Sequence, residues 1–254
     1  MLLDLLHHRP DPLHHRPALR PRLAAVAAVA AVATLVATLA SCAATVPERL
    51  NLPFGDAQQL IVVTAPTWSS TSGSLTTYEK VDGHWRIVQA ALPARLGRSG
   101  FSADHHEGDG TTPAGSFPVT GIMGRQPDPG VRYPYRQLVP GDCWVSDAAS
   151  PSYNQLVSAS PCVKPNEDMY AIGIGPYRYL ATVGYNVDPV VPGLGSAIFL
   201  HRHQYDSAGR TVPTSGCVSL SETDLLAVLR WLDPSLHPRI LMGPDSWLIK
   251  PPGA

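Results

Sequence analysis

At 254 residues the chain is long enough for one sizeable domain or two small ones. Charged residues make up 15%, well below the usual quarter, while 26 prolines and 21 glycines favour strands and turns over a helical bundle. A formal net charge of −1 leaves no basic footprint, which argues against nucleic acid as a partner.

Residues 1–42 have the make-up of an export segment. Arg9, Arg16, Arg20 and Arg22 precede an uncharged run of mainly Ala, Val and Leu at 23–40. The run ends in Leu39-Ala40-Ser41-Cys42, which matches the bacterial lipobox and makes Cys42 the expected lipidated N-terminus of the mature chain. An uncleaved membrane anchor and ordinary cleavage are the alternatives. All three put the remainder outside the cytoplasm, on the outer face of the membrane or at the cell wall. Leu-His-His-Arg-Pro occurs twice here, from Leu6 and from Leu13, but a disposable segment is a poor place for a metal site.

Residues 43–58 read as a short tether, and 59–250 as one domain. The apolar run QLIVVTA, stopped by Pro66, predicts a strand. GSLTTYEKVDGHWRIVQAAL predicts two strands hinged at Asp82-Gly83, a strong hairpin dipeptide. SFPVT, MYAIGIG, SAIFLHRH and RILMG are further expected strands. The Pro/Gly-rich stretch 124–165 is expected as a long loop lying over the site. One helix is expected, in SLSETDLLAVLRWLDP. Ser221 caps it, Asp224 follows three residues on, Leu225, Val228, Leu229 and Leu232 share a face, and Asp233-Pro234 stops it.

With Cys42 assigned to the lipobox, three cysteines remain. Cys143 and Cys162 flank an irregular loop and are natural disulfide partners in an oxidising compartment, although sequence alone leaves connectivity open. Cys217 is then single, within TVPTSGCVSL. A buried inert thiol is the ordinary reading of a lone cysteine. Thr214-Ser215-Gly216 is no core strand, however, and Gly216 allows a sharp turn leading toward the capped helix. A thiol on such a turn, with backbone N–H groups of Gly216 and Cys217 to receive an oxyanion, suits acyl transfer. It needs a base, and His201 at the end of an apolar strand is better fixed for that task than His203, which reads as a solvated loop residue.

A histidine ending an apolar strand, followed by Thr-x-Gly-Cys-Val leading into a helix, resembles the YkuD-type L,D-transpeptidase catalytic domain. EGDGTTPAGSFPVTG, Glu107 to Gly121, is similar to that family's D-G-x-T-P-x-G-x-F segment. The resemblance spans about residues 59–245 and implies a mainly β sandwich or barrel with one main helix after the cysteine, requiring no metal or cofactor. It makes Cys217 the nucleophile, His201 its base, and Thr214 the motif's small hydroxylated residue. Ser215 and Ser219 replace the more usual histidine and arginine or asparagine, and Arg202 replaces a small residue, so that its backbone carbonyl alone could orient the imidazole. The implied substrate is a peptidoglycan stem peptide, which acylates the cysteine with loss of D-alanine. A neighbouring stem's amine then resolves the thioester into a 3→3 cross-link, and carbapenems are the implied inhibitors. Hydrolysis of the thioester, as an L,D-carboxypeptidase, and a wall-binding module without turnover are the alternatives. A papain-type peptidase is disfavoured because the histidine precedes the cysteine.

Overall fold

The computed structural model describes residues 46–251; the export segment, Cys42 and the His-His repeats lie outside them. β1 (Gln59–Ala65), β2 (Ser72–Val81) and β3 (His84–Arg95) form a meander. Asp82 and Gly83 sit at φ of 51° and 79°, the left-handed pair that a tight hairpin needs. β4 (Phe101–Ser102) and β5 (Thr112–Pro113) make a small parallel pair, and β6 (Gly115–Gly124) and β7 (Tyr135–Gln137) follow. A three-stranded sheet comes next, with β8 (Asp142–Trp144) between β9 (Leu156–Ser158) and β10 (Glu167–Asp168). After α1 (Met169–Ile172) come β11 (Leu180–Val183), β12 (Phe199–Arg202), β13 (Val218–Leu220), α2 (Glu222–Trp231), β14 (Arg239–Pro244) and α3 (Asp245–Leu248).

Eight of these strands close into a barrel in the order β11-β12-β13-β3-β2-β1-β14-β6, because β6 also pairs antiparallel with β11. The fold is therefore mainly β, as expected. Closure removes the free sheet edges that would otherwise expose unpaired backbone, and β7 alone adds outside β6. Strand β1 is apolar on both sides because both faces are covered. Ile61 and Val63 enter the main core with Leu75, Leu200 and Ile240, while Leu60 and Val62 join an outer cluster with Tyr78, Trp85 and Leu248.

That outer cluster overturns the tether expected at residues 43–58, as far as it falls within the described chain. Val46–Arg49 forms a 3-10 turn, Leu50 pairs with Ile249, and Leu50, Leu52 and Phe54 pack over the outer face of the barrel. Leaving those apolar strand faces in water would cost about 25 cal/mol per Å².

The capped helix is as expected. Ser221 Oγ accepts from Asp224 N–H at 3.1 Å, and Leu225, Val228, Leu229 and Leu232 are fully buried in the main core. Trp231 Nε1–H donates to Glu79 Oε2 at 2.7 Å, tying the helix end to β2. MYAIGIG, by contrast, is not a strand. Asp168 Oδ1 accepts from Ala171 N–H at 2.9 Å and caps a short helix there, which a Gly-containing turn ends at once. The stretch 124–165 is not one loop but carries three short strands.

Among the described residues, no helix is long and apolar enough to cross a membrane. Leu229→Ala, at a fully buried core position, is expected to lower unfolding free energy by about 2–5 kcal/mol in a urea titration.

Candidate active site

Strands β12 and β13 run parallel, with Leu200 opposite Val218 and His201 opposite Ser219. Alternation sends Ile198, Leu200, Val218 and Leu220 into the main core. The other face carries Ala197, Phe199 and Cys217, which cluster with Tyr177. His201 lies two residues beyond Phe199 on that face, so thiol and imidazole open onto one side of the sheet. Both line a cavity of about 890 Å³ that Thr214, Ser215 and Gly216 also border. Cys217, His201, Thr214, Ser215 and Gly216 thus border one cavity.

The turn before the cysteine is braced from two directions. Thr214 Oγ1–H donates to the Cys217 carbonyl at 2.6 Å and accepts from Gly216 N–H at 3.1 Å. The Gly216 amide, one of the two expected at the oxyanion, is therefore already engaged by Thr214. Gly216 has φ of 153°, and a Cβ there would stand 2.9 Å from the Thr111 carbonyl oxygen. Thr111 belongs to the D-G-x-T-P segment, whose Asp109 carboxylate accepts from Thr111 N–H at 2.7 Å and from its hydroxyl at 2.8 Å. The two motifs are neighbours in space: one is the seat on which the other turns.

The Cys217 thiol donates to the Ala197 carbonyl at 3.2 Å and accepts from Phe199 N–H at 3.4 Å. Burial pushes it up to about 12, helped by the charge of Glu167, while the backbone N–H groups of Phe199 and Cys217 pull the other way. His201 Nδ1 lies 2.6 Å from the Arg202 carbonyl oxygen. A carbonyl can only accept, so Nδ1 carries the proton and Nε2 is the bare, basic nitrogen. Burial lowers His201 to about 4 against the raising effect of that bond. Thiol and imidazole are consequently both neutral at rest.

His203 departs from expectation. It is buried, with Nδ1 2.9 Å from Ser219 Oγ, so it is not a solvated loop residue. Ser219, at a position where a site side chain was looked for, is instead sealed inside with it. Cys143 and Cys162 form the disulfide, which fixes β8 to the loop leading into β10. Ser146 and Lys164 of the 124–165 stretch do reach the cavity.

Sequence reading missed Tyr177 and Glu167. Tyr177 O–H donates to Glu167 Oε2 at 2.7 Å, and its ring stands edge-on to His201 with centroids 5.5 Å apart. Neither residue has a spacing that marks it, since Glu167 lies in a two-residue strand and Tyr177 in a short 3-10 turn on either side of α1. Asn154 was missed too: its Oδ1 accepts from Ala197 N–H and from Trp144 Nε1–H, holding Ala197 at φ of 55° beside the thiol. His105 was missed as well: it is buried and lines the cavity, its Nδ1 2.9 Å from Thr111 Oγ1. Among the described residues, no three His, Cys, Asp or Glu side chains converge as a metal site.

A family model for the L,D-transpeptidase catalytic domain, YkuD, matches residues 66–240, more than half of the chain. The chain belongs to the YkuD family. That family comprises cysteine-based transpeptidases acting on peptidoglycan stem peptides, which gives this YkuD domain a cell-wall role. Among solved structures, the chain is similar to the helical cell shape determining protein Pgp2 from Campylobacter jejuni. The two share 14% identity at a TM-score of 0.39, over 80% of this chain and 53% of that one. The chain thus spans about half the length of that protein. No curated protein matches the sequence.

In this YkuD domain a thiol near 12 is ionised to about one part in 10⁵ at pH 7, and the fraction grows with pH because the pKa lies above the working range. Alkylation of Cys217 by iodoacetamide is expected to accelerate about tenfold per pH unit from pH 7 to 10, with no plateau. A plateau across pH 5–9 in a stopped alkylation series would instead reveal a preformed thiolate–imidazolium pair.

Proposed function

We propose that this protein is a peptidoglycan L,D-transpeptidase in which Cys217 is the nucleophile and His201 its base. The observation that carries the reading is the thiol and the bare Nε2 face of His201 opening from adjacent parallel strands onto one cavity. With both groups neutral, proton transfer accompanies attack. Cys217 Sγ bonds to the carbonyl of the stem's diamino acid while its proton passes to His201 Nε2. The carbonyl oxygen takes up negative charge near the Cys217 amide. Collapse expels D-alanine, whose nitrogen takes the proton from His201, and leaves a thioester. An amine from a second stem then attacks, His201 accepts its proton and returns it to the departing sulfur, and a 3→3 cross-link results.

Arg98 and Lys164 line the cavity, and neither is ion-paired among the described residues, which suits them to the carboxylates of a stem peptide. Water in place of the second amine would make the protein an L,D-carboxypeptidase. A wall-binding module without turnover is the second reading, favoured by the high thiol pKa and by the burial of Ser219 against His203. In either reading a lipid on Cys42, or failing that an uncleaved export segment, would hold the domain at the outer face of the membrane.

Intact-mass analysis after exposure to a carbapenem decides between enzyme and module. The transpeptidase reading expects one covalent adduct on the wild type and none on Cys217→Ala, which should also release no D-alanine from a stem tetrapeptide. His201→Ala is expected to slow acylation by about 10²-fold or more while unfolding at a similar temperature. Absence of any adduct on the wild type would favour the module.

A further inference from the structure

Glu167 has no part in the chemistry above, yet it is one of the cavity's lining residues. Antiparallel pairing with Trp144 fixes its backbone, and the Tyr177 hydroxyl holds its carboxyl at 2.7 Å. Tyr177 packs in turn against Phe199 and His201, with ring centroids 5.4 and 5.5 Å away, so the carboxyl is carried on the wall of the reaction centre. Burial raises its pKa and the charge of Glu107, another lining residue, adds to the rise. No Lys or Arg among the described residues lies within ion-pair distance of it.

A carboxylate in this place works against the reaction. Its charge is one of the causes that hold the thiol protonated, while attack on a carbonyl requires negative charge on sulfur. A positive group entering the cavity would reverse that opposition, because the carboxylate would then be paired and its field at sulfur cancelled.

We propose that Glu167, oriented by Tyr177, receives the side-chain ammonium of the acyl-donor peptide, so that the site selects a stem whose diamino acid keeps a free amine. This rests on the stem-peptide reading above. Glu167 acts as a specificity residue: the same ion pair that anchors the donor removes the unfavourable charge facing Cys217. An enclosed charge-assisted hydrogen bond of this kind is worth at least about tenfold in affinity.

The test uses the full chain carrying Cys217→Ala, which can bind a donor but not react with it. Calorimetry would compare a synthetic stem tetrapeptide with its side-chain amine free and the same peptide with that amine acetylated. The free amine is expected to bind at least about tenfold more tightly. Adding Glu167→Gln, which keeps an acceptor for Tyr177 but not the charge, should abolish the difference, and Glu167→Asp should restore part of it. A purely structural role would weaken both peptides alike. Equal affinities for the two peptides, or a difference that survives Glu167→Gln, would overturn the proposal. If Glu167→Gln does not fold, Glu167→Asp takes its place, and a free-amine preference that it leaves undiminished would overturn the proposal. Binding of neither peptide would remove the stem-peptide reading itself, and this one with it.

Discussion

Leu200 stands opposite Val218 across two short parallel strands, and that register sets where sulfur and imidazole meet the solvent. Parallel neighbours need a crossover of about a dozen residues or more, and here residues 203–217 make it. That crossing chain carries the Thr-Ser-Gly turn back to the start of β13. Barrel closure prevents the pair from slipping, since β12 is held on its other side by β11 and β13 by β3. A shift by one residue would move Cys217 from the cavity face into the packed interior, with every neighbour exchanged.

The second constraint is steric. Gly216 lies so close to the Thr111 carbonyl that no side chain fits between them, and Thr111 is fixed by the Asp109 carboxylate. Two segments about a hundred residues apart are thus parts of one device, which gives their joint occurrence a physical cause. The small sheet around β8 completes the opposite wall. Trp144 packs edge-on to Phe199 with centroids 4.9 Å apart, and the Cys143–Cys162 bridge anchors the chain that delivers Glu167.

What could be read in advance was whatever depends on local pattern. The strands QLIVVTA and RILMG, the Asp-Gly hairpin and the Ser221-capped helix follow from apolar periodicity and turn chemistry, and they appear where those rules put them. Cys217, His201 and Thr214 stood out through their setting. The failures share a cause in tertiary contact. MYAIGIG alternates like a strand, but the cap from Asp168 wins locally. Residues 46–58 look like polar spacer with scattered Leu and Phe, and only an uncovered barrel face gives those side chains a place. His203 and Ser219 seal one another inside, a pairing that spans sixteen residues and leaves no trace in either segment. Glu167 and Tyr177 meet across α1 for the same reason.

The neutral resting state of Cys217 has a bearing on its survival. The same domain holds a disulfide, and any thiolate able to reach such a bond can attack it and scramble the pairing. Oxidants that convert cysteine to sulfenic acid likewise act on the ionised form. A sulfur kept protonated by burial and by a nearby carboxyl is slow in both reactions. The arrangement therefore acts as a safety catch: a sulfur held in the thiol form escapes the exchange and oxidation that a thiolate beside a disulfide would invite.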